Sequence, residues 1–377
     1  MLIFLKTHLV ETVVLVLGVL IFIQLLYYVL LFFKFALHKP KRSLLQQNLG
    51  VSVVISAKNE AHNLIHTLPV IASQNYPLFE VIVVNDHSND GTKEVIEDCI
   101  ARFPHIKMVE LNSSVTNVVG KKFPLSIGIK TAMYNHLLLT DADCMPASEN
   151  WLQLMAAHFN REKQIIIGYN RIQQRKNWMN KLIRYELVHY AIQFFSYHLI
   201  KIPMMGVGKN LAYTKELFIE NKGFTSHYHI PYGEDTLFIN RVATSKNCDI
   251  EYSYESQTIS KDPSTVRTWF RLKKNRNKSI SHFATKHRWL LGVYQTVSVL
   301  IYPVWILLVL LIPWDLQIHI ILFSMLLIKL IFQHIAFGMG AKKLNEKGIV
   351  PFLILFDLIS TIANPVIYIL SSFNKKS

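Results

Sequence analysis

The sequence contains few cysteines and lacks the glycine-rich loops that hold phosphate groups in many nucleotide-binding proteins. Only three cysteines occur among its 377 residues, and Cys99, Cys144 and Cys248 are odd in number and widely separated. That pattern predicts neither a disulfide framework nor a zinc site. Neither G-x-G-x-x-G nor G-x-x-x-x-G-K-S/T occurs, so we expect phosphates to be held by other means, such as a metal on acidic residues.

The sequence is also poor in acidic residues. Asp and Glu number 25 against 40 Lys and Arg, which gives a formal net charge of +15. Much of this positive charge lies next to apolar segments, where it suits the anionic surface of a membrane. Helix-turn-helix, zinc-finger and RNA-binding signatures are missing, so nucleic acid is not an expected partner.

Long apolar runs, in contrast, are abundant, and 51% of the residues are hydrophobic. Four segments exceed the roughly 20 residues that cross a bilayer core; they are residues 9–33, 290–313, 316–338 and 349–373. The first is too long for a signal peptide and lacks its cleavage site. The fourth contains Asp357 and the pair Asn364-Pro365, so a re-entrant or interfacial segment is an alternative there.

Basic residues flank these segments mainly on one side of the predicted membrane. They are Lys34, Lys39, Lys41, Arg42, Lys286, Arg288, Lys342, Lys343 and Lys347. The positive-inside rule then predicts an integral membrane protein whose middle part is cytoplasmic, and Lys375 and Lys376 depart from the rule. We expect a transmembrane helix over residues 1–34, a cytoplasmic domain over 48–286 and about three membrane helices over 289–373.

The middle part alternates strand and helix patterns, which predicts an α/β fold with a mainly parallel, Rossmann-like sheet. Strands are expected over residues 51–56, 81–84, 107–111 and 137–140, with helices over 59–68, 93–101 and 126–134. Thr92 is the expected N-cap of the helix that begins at Lys93.

Two of these strands end in acidic turns, at Asp86 and at Asp141 with Asp143. Parallel strands deliver their carboxyl ends to one edge of a sheet, where ligands of such folds bind. Two carboxylates in an Asp-x-Asp suit Mg²⁺ shared with substrate phosphates. Taken alone, such a motif is more often a solvated turn after a strand, so the prediction depends on the convergence of the two strand ends.

Four runs in this region follow one another in a recognisable order: VSVVISAKNEAHNL, VIVVNDHSNDGT, GKKFPLSIGIKTA and LLLTDADCMP. Over about residues 48–285 the chain resembles a family 2 glycosyltransferase, and its apolar ends resemble the membrane-integrated members of that family. The resemblance implies a glycosyltransferase-A fold, a nucleotide-sugar donor and a divalent cation, Mg²⁺ or Mn²⁺.

The resemblance also assigns donor-binding roles to single positions. It implies that Asp86 contacts the uracil of a UDP donor and that Glu60 lies near the nucleotide. Lys121 or Lys122, after Gly120, would lie near the diphosphate. The metal would be held by the Asp-x-Asp, with Asp143 as the direct ligand and Asp141 facing the ribose and the metal shell.

A further acidic pair occurs in Gly233-Glu234-Asp235. From this segment alone, Asp235 is best read as the N-cap of a helix over residues 236–242. The resemblance implies instead that Asp235 is the catalytic base, with Glu234 as the second choice. Gly206 and Gly208, in GVGKN, allow either a close backbone approach to a sugar or a plain tight turn.

The window TWFRLKKNRNKS departs from the Gln-x-x-Arg-Trp pattern of polymerising family members, because Leu272 replaces the glutamine and Asn275-Arg276 replaces the Arg-Trp. This departure weakens the expectation of processive synthesis. The basic residues of the window remain candidates for binding a diphosphate or an acceptor; they are Arg271, Lys273, Lys274 and Arg276.

Together these patterns predict a metal-dependent, inverting glycosyltransferase of the hexosyl- or N-acetylhexosaminyl-transferase type in a bacterial plasma membrane. Its donor would be a nucleotide sugar, with a UDP-sugar favoured, and its acceptor a lipid-linked or membrane-proximal glycan of the cell envelope. One alternative is a processive polysaccharide synthase that extrudes its product; four or fewer membrane segments leave little protein to build a channel alone, which favours simple transfer or an oligomer. An alternative of another class is a nucleotide-binding membrane transporter or scaffold. Lys329 and Asp357, both inside predicted membrane segments, would then serve a transport path.

Overall fold

The computed structural model describes residues 2–40, 49–111, 120–261 and 265–373. The predicted basic flanks Lys41, Arg42, Lys375 and Lys376, and the predicted domain start at residue 48, lie outside this part of the chain. The chain divides into two compact units. The helical unit comprises Met1–His38, Lys181–Ser196 and Phe270–Ser377, and the sheet unit comprises Lys39–Asn180 and Tyr197–Trp269.

The α-helices and β-strands follow one another along the whole chain. The helices are α1 (Leu2–Leu26), α2 (Phe33–Leu37), α3 (Ala61–Ala72), α4 (Thr92–Arg102), α5 (Lys122–Thr131), α6 (Trp151–Ala156), α7 (Trp178–Leu199), α8 (Lys215–Glu220), α9 (Glu234–Val242), α10 (Val266–Ile280), α11 (Thr285–Leu311), α12 (Leu316–Lys343) and α13 (Leu353–Phe373). The strands are β1 (Val51–Ala57), β2 (Phe79–Asp86), β3 (Ile106–Leu111), β4 (His136–Asp141), β5 (Cys144–Pro146), β6 (Ile165–Ile167), β7 (Asn170–Ile172), β8 (Leu211–Thr214), β9 (Cys248–Ile250) and β10 (Thr258–Ser260).

The sheet unit is built on a seven-stranded sheet of order β3-β2-β1-β4-β8-β6-β9. Strands β1 to β4 are mutually parallel, whereas β8 runs antiparallel to its neighbours β4 and β6. Every residue of β1 is buried, as expected for a central strand covered on both faces. A second sheet has the order β5-β10-β7, and its strand β5 directly follows the Asp-x-Asp turn in the sequence. The predicted α/β fold with a mainly parallel sheet is confirmed.

Two predicted helix caps are wrong, for the same reason. Helix α4 is capped by Gly91 at φ 82°, and α9 is capped by Gly233 at φ 71°, so Thr92 and Asp235 both lie inside the first turn. A left-handed backbone at the cap costs glycine little and other residues more. Thr92 instead joins two loops, because its hydroxyl accepts from the backbone N–H of Glu60 at 2.9 Å and donates to Asp90.

Within the described residues, four segments of the helical unit are long and apolar enough to cross a membrane. They are Val10–Leu37, Thr285–Leu311, Leu316–Lys343 and Val350–Leu370. The first segment passes through a π-helical stretch at Tyr27–Phe32. These spans agree with the four predicted from apolar length, and in the last one Pro365 is accommodated inside the continuous helix α13.

Buried polar residues connect three of these apolar helices. Lys329 on α12 lies 3.2 Å from Asp357 on α13, and the same carboxylate accepts a hydrogen bond of 2.7 Å from Tyr302 on α11. Lys329 also donates to Gln333 at 2.6 Å. In an apolar environment a charged group is tolerated when it is paired and hydrogen-bonded in this way. The pair therefore has a structural explanation that requires no transport path.

Candidate active site

The carboxyl ends of β1, β2 and β4 meet at one edge of the large sheet. In the strand register, Ala57 of β1 lies beside Asn85 of β2, and Ser56 of β1 lies beside Asp141 of β4. Asp86 follows Asn85 directly, so the two acidic turns predicted from the sequence do share this edge. The candidate site residues are arranged around this carboxyl edge of the sheet.

Asp141 and Asp143 are both paired with lysine side chains. Lys121 Nζ lies 2.7 Å from Asp141 Oδ1, and Lys209 Nζ lies 2.8 and 3.1 Å from the two carboxylate oxygens of Asp143 and 3.8 Å from Asp141 Oδ2. Burial alone would raise the pKa of Asp141, but the neighbouring ammonium groups outweigh it and lower this pKa. Each carboxylate of the turn thus has an ammonium group beside it.

The turn that carries these carboxylates is held from both sides. Thr67 of α3 donates to the carbonyl of Ala142 at 2.9 Å, and the buried Cys144 donates from its thiol to Asp143 at 3.3 Å. Cys144 is a small buried residue, and burial raises the pKa of its thiol. The neutral thiol is therefore a hydrogen-bond partner rather than a nucleophile.

Lys209 belongs to the GVGKN turn before β8, and its backbone is tightly held. Its carbonyl accepts hydrogen bonds from Thr140 at 3.1 Å and from Thr258 at 2.8 Å. The next residue, Asn210, is fully buried and accepts from the indole of Trp151 at 3.0 Å. Sequence reasoning identified the glycines of this turn but missed Lys209, and the one signal available was a lysine between Gly208 and a buried strand.

Gly208 brings the same turn against Asp235. A Cβ atom at position 208 would lie 1.9 Å from Asp235 Oδ2, which is far inside the contact limit, and Asp235 accepts a hydrogen bond from the backbone N–H of Gly208. The close backbone approach allowed by the sequence is therefore made to a protein carboxylate. Only glycine fits at this position.

Asp235 has the electrostatic properties of a proton acceptor. Its Oδ1 atom is buried without a hydrogen-bond partner among the described residues. Burial, followed by the negative charges of Glu234 and Asp141, raises the pKa of Asp235 well above its usual range. Burial likewise raises the pKa of Glu234. A buried carboxyl with an unused oxygen and a raised pKa is a common feature of general bases.

The structure separates the roles of the two adjacent lysines. Lys121 faces the carboxylate of Asp141, whereas Lys122 is buried and donates to the backbone carbonyls of Ile230 and Tyr232. Lys122 therefore holds the segment that leads into Glu234 and Asp235, and it does not reach the carboxylate pair. Burial lowers the pKa of Lys122.

The loop that contains Glu60 and the loop that follows Asp86 are bound to each other. Asp86 lies 3.7 Å from Lys58, and its carboxylate oxygen lies 3.0 Å from Nδ1 of His87. Glu60 accepts a hydrogen bond from Asn63 at 2.7 Å. The Glu60 and Asp86 loops are also joined through Thr92 and Asp90. Both predicted nucleotide contacts thus stand on neighbouring loops.

Two basic residues of α10, Lys273 and Arg276, are paired within the helical unit. Lys273 is buried and lies 2.6 Å from Glu186, and Arg276 lies 4.0 Å from Glu186 with its guanidinium over the ring of Tyr190. Arg271 is exposed and Lys274 is half-buried. Lys273 therefore has a carboxylate partner of its own, which argues against a role in binding a diphosphate.

The carboxylate pair fits a divalent cation. Lys209 Nζ already lies between Asp141 and Asp143 as a stand-in cation. In the described part of the chain no group of three or more His, Cys, Asp or Glu residues could hold a metal ion. Two carboxylates completed by phosphate oxygens are, however, a usual environment of Mg²⁺, so this pair would need a bound diphosphate to complete its coordination.

The sequence profile of glycosyl transferase family 2 matches residues 52–220, the segment that contains Asp86, Lys121, Asp141, Asp143 and Lys209. The chain carries a family 2 glycosyltransferase domain. The resemblance inferred from the four sequence runs is thereby confirmed.

Curated relatives of the family 2 domain are glycosyltransferases. A poly-beta-1,6-N-acetyl-D-glucosamine synthase from Staphylococcus epidermidis is 30% identical over 169 residues, which is 43% of this chain and 39% of the relative. The probable glycosyltransferase YdaM from Bacillus subtilis is 26% identical over 266 residues, covering 67% of this chain and 62% of YdaM. The chain thus spans about two fifths of the first relative's length and about three fifths of the second's.

Among solved structures, a mannosyltransferase from Pyrobaculum calidifontis, determined with GDP-Man and Mn²⁺, aligns with a TM-score of 0.59 at 16% identity. The alignment covers 94% of this chain and 99% of that protein. At this identity the likeness concerns the fold, and it confirms a glycosyltransferase-A architecture with helices at both ends of the chain.

Proposed function

We propose that the protein is a metal-dependent, inverting glycosyltransferase that moves a sugar from a nucleotide-sugar donor to a lipid-linked or membrane-proximal acceptor. One observation carries this proposal. A carboxylate pair with two lysines and a buried carboxyl of raised pKa meet in one site, through the contacts of Lys121 and Lys209 with the pair and of Gly208 with Asp235. Each group has a task in sugar transfer.

Asp141 and Asp143 would hold Mg²⁺ or Mn²⁺ together with the donor diphosphate. When bound, the cation would offset the negative charge that grows on the leaving diphosphate. Lys121, which is half-exposed beside Asp141, adds a fixed positive charge to the same place. Glu60 and Asp86 stand on the nucleotide side, where Asp86 would accept from the base of a UDP donor.

Asp235 would take the proton of the acceptor hydroxyl as that oxygen attacks the anomeric carbon. Its buried oxygen and raised pKa favour proton uptake. Attack from the face opposite the leaving diphosphate inverts the anomeric configuration. Glu234, beside it in the first turn of α9, is the alternative base.

The four apolar spans favour an acceptor at the membrane, and the distribution of basic residues favours a cytoplasmic site. The names of the staphylococcal relatives support a second candidate function, a processive polysaccharide synthase. Their similarity extends over about two fifths of this chain. It therefore supports shared donor chemistry more than a shared mode of polymerisation.

The test is nucleotide release and product formation in membranes that contain the protein and lipid acceptors. The donor panel includes UDP-N-acetylglucosamine, UDP-glucose and GDP-mannose, each with Mg²⁺, Mn²⁺ or EDTA. We expect turnover with at least one donor, its loss in EDTA, and an inverted product by NMR. The absence of nucleotide release with every donor and metal tested would favour the scaffold alternative, and a ladder of products would favour the synthase.

A further inference from the structure

Lys209 occupies the place in which a metal cation would bind. Its ammonium group contacts both oxygens of Asp143, at 2.8 and 3.1 Å, and lies 3.8 Å from Asp141 Oδ2. Lys121 differs from it, because Lys121 contacts Asp141 from the side of Oδ1. Lys209 is therefore the cation that lies between the two carboxylates.

The backbone delivers this ammonium group to a fixed position. The carbonyl of Lys209 is held by the hydroxyls of Thr140 and Thr258, and Asn210 is buried beside it. The side chain itself is 22% exposed, and a flexible four-carbon stem carries its ammonium group. The turn is thus rigid while the ammonium group can swing away from the carboxylates without moving the backbone.

A divalent cation and an ammonium group compete for the same two carboxylates, because like charges about 4 Å apart repel each other. Building on the proposed function, we propose that Lys209 competes with the divalent cation for Asp141 and Asp143, and that the donor diphosphate becomes its new partner when the metal enters. In the absence of donor, the ammonium group neutralises the pair and keeps metal affinity low.

This competition couples the binding of metal to the binding of donor. A diphosphate stabilises the displaced Lys209 and also completes the coordination of the metal, so each ligand raises the affinity of the other by the same factor. The site would bind metal weakly by itself and tightly together with a nucleoside diphosphate. Lys209 is then the residue that sets the size of this coupling.

The test measures Mn²⁺ binding to the full-length protein in detergent by electron paramagnetic resonance, with and without UDP. The variants are Lys209→Met, which keeps the length of the side chain without its charge, and Lys209→Arg, which keeps the charge. Lys93→Met is the charge-matched control, because Lys93 pairs with Glu110 on β3 outside the carboxylate pair. Without UDP we expect Lys209→Met to bind Mn²⁺ about tenfold more tightly than the wild type.

We also expect UDP to improve Mn²⁺ affinity less in Lys209→Met than in the wild type, while Lys209→Arg and Lys93→Met stay near the wild type without UDP. Equal Mn²⁺ affinity of Lys209→Met and wild type in the absence of UDP would overturn the inference. That result leaves the proposed function intact if the wild type still turns over a donor. Failure of sugar transfer, conversely, concerns the proposed function and does not change the Mn²⁺ comparison.

Discussion

Asp235 is the residue on which the proposed chemistry depends most. It has no hydrogen-bond partner on Oδ1 among the described residues, and its other oxygen is packed against Gly208. Such a carboxyl is poised to accept a proton and contributes little to holding a donor. Loss of its charge should therefore affect the chemical step more than donor binding.

We predict that Asp235→Asn lowers kcat at least about 100-fold, in keeping with the usual contribution of a general base. The dissociation constant of the donor should change by less than threefold or so, since the lysines and the carboxylate pair remain. Turnover and equilibrium binding of UDP measure the two effects separately. Asp98→Asn, an exposed change on α4, is the matched control. Near-normal turnover by Asp235→Asn would move the role of base to Glu234.

Asp143 should act on the metal instead. Asp143→Asn removes one of two anionic metal ligands. We therefore predict that the factor by which Mn²⁺ raises UDP affinity is about tenfold smaller in this variant than in the wild type. Titration of UDP with and without Mn²⁺ gives this quantity. If Mn²⁺ raises UDP affinity equally in both proteins, Asp143 is not a metal ligand.

At the scale of helices and strands, His158 ties the segment after α6 to Asp249 within β9 and to Glu251 just after it. Its Nδ1 lies 3.0 Å from Asp249 and its Nε2 lies 2.8 Å from Glu251. Burial alone would lower the pKa of His158, but the two carboxylates outweigh it and raise the pKa to about 9. The charged imidazole is thus a structural link within the sheet unit.

The pH dependence follows from this raised pKa. The protonated histidine contributes its full stability below its unfolded pKa of about 6.5, and this contribution is lost as the pH rises through about 9. We predict that the free energy of unfolding of the wild type is higher than that of His158→Gln by on the order of 3 kcal/mol at pH 6. This difference should become smaller as the pH rises towards 10. Thermal unfolding in detergent against pH measures the gap, with the exposed His66→Gln as control. A gap that does not change with pH would contradict the link.

Sequence reasoning worked best where one local pattern decides an element. The apolar runs of β1, β2 and β4 identified those strands, and β3 followed from its similar pattern. It failed where distant residues decide. The strands β5 to β7, β9 and β10 have only three residues each, and their pairing partners lie far along the chain.

The helix starts and the site show the same limit. The caps of α4 and α9 are glycines with a left-handed backbone. A ranking of favoured cap residues gives the residue type but not the backbone conformation at the cap. Asp86, Asp141 and Asp143 stood out because acidic residues at strand ends are visible locally, whereas the predicted role of Asp235 came from the family resemblance and not from its own segment. Lys209 was missed because its partner Asp143 is 66 positions away.

For the molecule as a whole, the apolar spans are joined by the buried pair Lys329 and Asp357, with Tyr302 and Gln333 around it. A buried ion pair is costly to break from one side, because the remaining charge loses its partner. Replacement of both partners by apolar residues removes that penalty. The pair thus offers a test of whether this polar cluster is structural or serves transport.

We predict that Lys329→Met lowers the free energy of unfolding by about 3–5 kcal/mol, and that Lys329→Met with Asp357→Leu recovers most of it. Thermal stability in detergent gives the comparison, and glycosyl transfer by the double variant gives a second readout. A stable double variant with unchanged transfer confirms a structural pair. A double variant that folds well but loses transfer would give these residues a functional role.

The contact between Gly208 and Asp235 has a consequence for how this protein can change over generations. The two positions are 27 apart in the chain, yet no side chain can be added at 208 while an aspartate stays at 235 in its present place. A side chain at position 208 is therefore acceptable only if residue 235 changes with it. Lineages that retain the chemistry should inherit the two residues as one unit, and those that abandon it are released from both.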